Sequence, residues 1–187
     1  MYKDGVFLAQ TTLQSYIVSG IKVGQSTVIS VSAVNEVGEG AKGTVQINLT
    51  LSPSAPISPL MTVLNNEQVL VDWATPVSDG GSAITGYEVL VKNKKLVSTD
   101  FYQIPCLFTS KLETDCRISV SALFDQPYAL EWGDTFCAVV VSLNSMGKSD
   151  RSPLAINTET GEECARLATV PDRPENVRAD ASQTNWY

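Results

Sequence analysis

The chain has 187 residues, 43% of them hydrophobic, and its 13 basic and 20 acidic side chains give a formal charge of −7. This composition is typical of one or two folded domains, and the negative charge disfavours binding to nucleic-acid phosphates or anionic lipid. Histidine, the most common general base and metal ligand, is absent, so we expect no enzyme activity, no cofactor and no metal site.

The N-terminal segment lacks the pattern of a secretory signal. Its first twenty residues have no basic start followed by an unbroken apolar run. The longest apolar runs of the chain, such as residues 137–141, fall far short of the roughly 20 residues that span a bilayer. We therefore expect no membrane insertion in this segment. Because the chain is also expected to begin inside a domain, a signal peptide would lie upstream of Met1.

An internal repeat relates the first fifty residues to a later part of the chain. The stretches STVISVSAVNEVGEG and TFCAVVVSLNSMGKS align Asn35 with Asn144 and Gly38 with Gly147, each pair 109 positions apart. A repeat of this length matches a small sandwich domain rather than a solenoid unit. Both copies predict an alternating strand that runs into a hairpin, whose glycine adopts a positive φ.

Alternating apolar residues predict β-strands in the middle of the chain. No segment shows three turns of helical periodicity, and Val, Ile, Thr and Ser dominate. The predicted inward faces carry Val69, Val71 and Trp73; Tyr87, Val89 and Val91; and Phe136, Ala138 and Val140. Each of these runs has one buried face, so the sequence predicts an all-β protein.

Proline-rich and serine-rich stretches predict the domain boundaries. LSPSAPISP and ATVPDRPENV have the composition of semi-rigid linkers. We interpret residues 1–51 as the C-terminal part of one module and residues 52–165 as a complete module. Residues 166–187 are expected to hold a linker and the N-terminal strands of a third module.

The middle of the chain resembles a fibronectin type III domain. VLVDWATPVSDGGSAITGYEVLV resembles strand B, the B–C loop and strand C of that family, and FCAVVVSLNSMGKSDRS resembles strand F and the F–G loop. The matching positions are Trp73, Pro76, Asp79, Gly80, Gly81, Ile84, Gly86, Tyr87, Asn144, Gly147 and Ser149. The resemblance implies an immunoglobulin-like β-sandwich of the fibronectin type III kind, in tandem modules. Its core signature here is Trp73, Tyr87, Phe136, Asn144 and Gly147.

Two features depart from the family pattern. The tyrosine that usually pins the corner before strand F is replaced by Phe136 in one module and by Thr27 in the other. Residues 101–134 are also longer than the usual region between strands C′ and E, and they contain two of the four cysteines. Because the tyrosine is absent, we expect the corner before strand F to be stabilised in another way.

The Asp-Gly-Gly stretch allows two interpretations. A phosphate-binding glycine loop needs a following helix whose amides face the anion, whereas Ile84 to Val91 read as a strand. We therefore expect Gly80 and Gly81 to form a structural corner between strands B and C. Trp73 is in phase with the apolar face of its strand and is expected in the core rather than at an exposed recognition site.

Four cysteines suit two disulfides in an oxidising compartment, with free buried thiols as the alternative. Cys106 and Cys116 are close enough in sequence to close a short loop, and we favour this pair. Cys137 points away from the core face of its strand, and pairing with Cys164 is plausible. Three connectivities are possible, and the sequence does not choose among them.

Asn48, in the triplet Asn-Leu-Thr, is the only Asn-x-Ser/Thr sequon of the chain. It lies where the last strand of the first module gives way to the linker. The residue is a candidate glycosylation site in a secreted protein, and chance occurrence of a short triplet is the alternative.

The resemblance implies a structural or adhesive array at the cell surface or in a secreted extracellular filament. Its modules would act as spacers and as a scaffold for protein–protein interactions. The expected partners are neighbouring modules or other copies of the array, extracellular proteins or glycans. Two alternatives remain: a receptor ectodomain that binds a protein through its B–C and F–G loops, and spacer modules of a secreted carbohydrate-active enzyme.

Overall fold

A computed structural model of the protein describes residues 1–65, 67–96, 100–107 and 112–168. The predicted third module lies outside the described residues from residue 169 onwards. We call residues 1–48 the first unit, residues 49–54 the linker and residues 55–168 the second unit.

The described residues form short β-strands and one helix of five residues, which confirms the all-β prediction. In the first unit the strands are β1 (Tyr2–Lys3), β2 (Val6–Phe7), β3 (Ser26–Val31), β4 (Val34–Asn35), β5 (Gly38–Glu39) and β6 (Gly43–Asn48). In the second unit they are β7 (Ile57–Val63), β8 (Gln68–Ala74), β9 (Gly86–Asn93), β10 (Tyr102–Ile104), β11 (Asp115–Ser119), β12 (Thr135–Asn144), β13 (Gly147–Lys148), β14 (Ile156–Asn157) and β15 (Ala165–Arg166). Helix α1 (Val120–Phe124) lies between β11 and β12.

The first unit is a single sheet with the strand order β2-β1-β3-β6, beside the small hairpin β4-β5. Strands β1 and β2 are joined by Asp4 and Gly5, both of which have positive φ angles, 48° and 82°. A two-residue Asp-Gly turn of this kind has the backbone twist that antiparallel strands need. Its local sequence therefore accounts for the hairpin at the start of the chain.

The second unit is a sandwich of two sheets. One has the order β11-β8-β7-β14, and the other has the order β10-β9-β12-β13 with β15 also paired to β12. Alternate residues of the facing strands fill the space between the sheets, because successive side chains point to opposite faces. Fully buried residues of this core include Met61, Val69, Val71, Val89, Val91, Ile118, Phe136, Ala138 and Val140.

The internal repeat extends to the pairing of individual residues. In the first unit, Asn35 pairs with Gly38 across the β4-β5 hairpin. In the second unit, Asn144 pairs with Gly147 where β12 meets β13. The two glycines have φ angles of 147° and 142°, a region that side chains avoid. Asn35 and Asn144, like Gly38 and Gly147, therefore share the same place in the hairpin pairing as well as the same residue type.

The corner before β12 is held by Tyr128 instead of a tyrosine on the strand. The Tyr128 hydroxyl donates a hydrogen bond to the carbonyl oxygen of Gln103. The side-chain nitrogen of Asn93 donates to the carbonyl oxygen of Tyr128 over 3.0 Å. Phe136 is fully buried in the core. The longer segment between β9 and β12 thus supplies the hydroxyl that the start of β12 lacks.

The end of the second unit crosses between the two sheets. Strand β14 pairs with β7 in parallel, and β15 then returns to the beginning of β12, where Arg166 lies opposite Thr135. Leu167 is fully buried and exchanges backbone hydrogen bonds with Gly133 and Asp134. The packed part of the second unit therefore continues past residue 165 to Leu167.

Candidate functional site

Trp73 and Tyr87 face each other across the interior of the second unit. They lie on β8 and β9, in opposite sheets, with 5% and 8% of their surfaces exposed. Their ring centroids are 5.2 Å apart in an edge-to-face arrangement, a geometry that aromatic pairs prefer. Trp73 is thus a core residue and offers no exposed recognition surface.

The Asp79–Gly81 loop is a corner between strands, and no helix follows it. Gly80 and Gly81 have φ angles of 72° and 76°, and the Asp79 carboxylate accepts a hydrogen bond from the Gly81 amide over 2.8 Å. The loop also contacts the linker, because the Leu51 amide donates to the Gly80 carbonyl over 2.8 Å. Sequence reasoning predicted the corner and missed this contact.

Asn144 joins three segments at the end of the second unit that faces the first unit. Its side-chain nitrogen donates to the carbonyl oxygens of Leu51 and Asp79, both over 2.7 Å. Its side-chain oxygen accepts from the amides of Met146 and Gly147, over 2.8 and 3.2 Å. The residue is 7% exposed. The sequence signals for this residue were its recurrence after 109 positions and its match to the fibronectin type III pattern, and neither predicts the contact with the linker.

Asn35 occupies the equivalent position in the first unit and repeats the contacts of the side-chain oxygen. Its side-chain oxygen accepts from the amides of Val37 and Gly38, over 2.9 and 3.2 Å. The residue is exposed, and within the described parts of the chain its side-chain nitrogen meets no acceptor. The turn geometry of Asn144 therefore recurs without the linker contact.

The structure pairs the four cysteines into two disulfides. Cys106 is bonded to Cys116 with Cα atoms 5.2 Å apart, and Cys137 is bonded to Cys164 with Cα atoms 4.2 Å apart. The first pairing is the one that the sequence favoured, and the second is the one that it left as plausible. The first bridge ties the segment after β10 to β11, and the second ties the start of β12 to the segment before β15.

Asn48 is the last residue of β6 and is exposed. Its strand partner is Ser26. The side chain is open to solvent at the edge of the first unit, as a sugar-bearing asparagine must be.

The first unit exposes apolar residues that are buried in the second unit. Val31 aligns with Val140 in the repeat, and Val31 is 54% exposed whereas Val140 is fully buried. Ile29 and Val45 lie opposite each other on the same face, where Val45 is 56% exposed and Ile29 is 7% exposed, so the face is covered in part. Among the described residues no second sheet covers this face.

Neither a metal site nor a membrane span is found in the part of the chain that the structure describes. No group of three or more His, Cys, Asp or Glu residues there is placed to hold a metal ion. The helix in that part is too short to cross a membrane.

Asp72 and Asp115 lie directly opposite each other on β8 and β11. Partial burial, with a smaller contribution from the Asp115 charge, raises the pKa of Asp72 above its ordinary value of 3.8. The Asp72 carboxyl group therefore binds its proton more tightly in the folded state than in the unfolded chain. The ionised carboxylate lowers the free energy of unfolding; this loss is complete at neutral pH and fades as the pH falls through the raised pKa.

We expect Asp72→Asn to raise the free energy of unfolding by about 0.5 kcal/mol at pH 7, as measured by urea denaturation. The gain should disappear below pH 3.8, the ordinary pKa of the carboxyl group. Asp115→Asn removes the same repulsion, so the double variant should gain less than the sum of the two single variants. A gain that does not depend on pH would contradict this explanation.

No family model matches the chain. A Kelch domain-containing protein of Saccharolobus solfataricus is 30% identical over 110 residues, which cover 57% of this chain and 15% of that protein. Slow-type myosin-binding protein C of Homo sapiens is 31% identical over 70 residues, 37% of this chain and 6% of that protein. The cardiac-type protein of Rattus norvegicus is 32% identical over 84 residues, 43% of this chain and 6% of that protein. The chain thus spans a small part of each of these relatives.

Among solved structures, the chain is similar to a crystal structure of several domains from titin. The TM-score is 0.51 at 20% sequence identity, and the match covers 80% of this chain and 43% of that one. This likeness concerns the fold. Together with the two facing sheets of the second unit, it defines an immunoglobulin-like β-sandwich.

Proposed function

We propose that the chain is part of a tandem array of fibronectin type III modules that serves as a structural spacer and a scaffold for protein–protein interactions. The observation that carries this proposal is the repeat of the hairpin pairing, Asn35 with Gly38 and Asn144 with Gly147, in two units on one chain. Each module closes its own core, so modules can be strung together without a shared active site.

The exposed face of the first unit supports the proposed division into modules. A sheet with an apolar face needs a second layer, and the described residues cover this face only in part, since Ile29 is buried while Val31 and Val45 are more than half exposed. Residues 1–51 are therefore proposed to be the later strands of a module whose other layer comes from elsewhere in the polypeptide. Residues 52–165 form the complete module of the proposal, and the remaining residues begin a third.

A cell-surface or secreted location is part of the proposal. Its support is the two disulfides, since such bonds form and persist mainly in oxidising compartments. The exposed sequon at Asn48 adds to this support. Glycans on the array and binding to extracellular proteins are part of the same proposal.

No enzyme activity is proposed for this chain. The backbone of the Asp79–Gly81 loop and the side chain of Asn144 are engaged by the linker, so this end of the second unit is occupied by its own polypeptide. This occupation favours a role in the array over capture of a foreign protein by these loops.

Mass spectrometry of the native polypeptide tests the proposal. We expect a mass far above 20.1 kDa, peptides from further fibronectin-like modules, and a mass decrease after glycosidase treatment that Asn48→Gln removes in part. A catalytic domain in the same polypeptide would favour a spacer in a secreted enzyme. A native chain of 20.1 kDa would contradict the array.

A further inference from the structure

We propose that the Asp79–Gly81 loop and Asn144 form a docking site for the linker that holds the first and second units at one fixed angle. The inference deepens the proposed function, on which it rests, since it identifies what makes consecutive modules of the array stiff. The partner of the site is an extended backbone segment, residues 49–54, that carries the chain from one unit to the next.

The linker is bonded to the second unit through its backbone. The Leu51 amide donates to the Gly80 carbonyl and its carbonyl accepts from Asn144, over 2.8 and 2.7 Å. Three residues further on, the Ser54 amide donates to the Ser78 carbonyl over 2.9 Å, and the Ser54 carbonyl accepts from the Ser142 hydroxyl over 2.8 Å. These bonds use main-chain groups of the linker, so the site recognises its extended conformation more than its side chains.

The two loop glycines leave no room for a side chain beside the linker and the first unit. A Cβ atom on Gly80 would overlap the Leu51 carbonyl oxygen and lie 2.7 Å from that of Ser52. A Cβ atom on Gly81 would lie 2.5 Å from both the amide nitrogen and the Cα atom of Gly24, in the first unit. Real Cβ atoms essentially never approach other atoms within 3.0 Å. Gly80 is thus required by backbone contact with the linker and Gly81 by backbone contact with the first unit, in addition to their positive φ angles.

Gly24 connects this contact to the sheet of the first unit. It lies two residues before β3, and its amide donates to the Leu49 carbonyl over 3.0 Å. The linker therefore packs directly on the backbone of the first unit and on the Asp79–Gly81 loop of the second unit, and these two also contact each other. A change of the angle between the units would break the bonds of Leu51 or separate Gly24 from Gly81.

The proposal is tested on the full chain by comparing Asn144→Asp with Asn35→Asp. Both substitutions keep the side-chain oxygen of the turn and replace the nitrogen donor with a second oxygen, but only Asn144 donates to the linker. NMR relaxation should give one rotational correlation time for both units in the wild type and in Asn35→Asp. In Asn144→Asp the units should tumble separately, and thermolysin cleavage within residues 49–57 should become at least about tenfold faster.

A second pair of variants applies if Asn144→Asp unfolds the second unit. Gly81→Ala introduces a Cβ atom whose three nearest neighbours are atoms of Gly24 and Leu49, whereas Gly161→Ala has a similar φ angle of 73° and open space around it. The strain that an alanine side chain meets at a positive φ angle is therefore similar in the two variants. We expect Gly81→Ala to separate the tumbling of the two units and Gly161→Ala to leave it unchanged.

Separate tumbling of the units in the wild type, or joint tumbling in a folded Asn144→Asp or Gly81→Ala variant, would overturn the proposal. These results are independent of the mass of the native polypeptide, which tests the array itself. A rigid junction within a chain of 20.1 kDa would leave the docking site standing and remove the array.

Discussion

Trp73→Ala is expected to lower the free energy of unfolding of the second unit by about 3 to 5 kcal/mol. The side chain is 5% exposed and packs against Tyr87 between the two sheets, so its removal leaves a cavity that the rigid sheets do not close. Urea denaturation followed by far-ultraviolet circular dichroism measures the change, since tryptophan fluorescence is itself altered.

Trp73→Phe should cost much less, about 1 to 2 kcal/mol. The indole nitrogen of Trp73 is buried, and within the described residues it has no hydrogen-bond partner. Phenylalanine therefore removes an unsatisfied donor while it keeps part of the packed ring. Trp132 is 48% exposed, and Trp132→Ala is a matched control with an expected loss below about 1 kcal/mol. Equal losses for the two alanine variants would contradict a core role for Trp73.

Replacement of both Cys137 and Cys164 by alanine is expected to lower the free energy of unfolding by about 3 kcal/mol. The bridge joins positions 27 apart in sequence, and cross-linking a loop of that size removes many conformations from the unfolded chain. The measurement is the urea midpoint of the double variant beside that of the wild type, both under oxidising conditions.

The bridge between Cys106 and Cys116 spans only 10 positions. Its double alanine variant should therefore lose about 1 kcal/mol less through chain entropy, although Cys116 is fully buried and its truncation adds a packing loss. A reducing agent should lower the midpoint of the wild type and have no effect on a chain that lacks all four cysteines. If reduction leaves the wild-type midpoint unchanged, neither bridge stabilises the fold, and the support that they give to an extracellular location is lost.

Much of the fold follows from local sequence. Trp73, Tyr87 and Phe136 lie on the apolar faces of alternating runs, and all three are buried as the alternation predicts. A period of two residues specifies a face without knowledge of the partner strand. The turn at Asp79–Gly81 was also predictable from local sequence, because glycine adopts a positive φ angle at lower cost than other residues.

Several features depended on contacts that no local pattern reports. The use of Tyr128 at the corner before β12 depends on a carbonyl at Gln103, 25 positions away. The choice among three disulfide connectivities depended on distances between Cα atoms. The pairing of β15 with the start of β12 brings together residues that no sequence motif connects.

The sequence by itself determined the strand class, the inward faces of β8 and β9, the bend between these two strands and the 109-residue repeat. Each is a property of residues that are neighbours in the chain or of two stretches that can be aligned. The alternation determined less in β12, where Val139 and Val141 are buried on the face opposite to Phe136. Only the tertiary structure shows that the Asn144 side chain donates a hydrogen bond to the carbonyl oxygen of Leu51, 93 positions away, and that Gly81 packs against Gly24. Every residue has a backbone carbonyl and every glycine has the same Cα atom, so the sequence does not indicate which of them will make a contact. Their role at the junction exists only once two folded units bring them together.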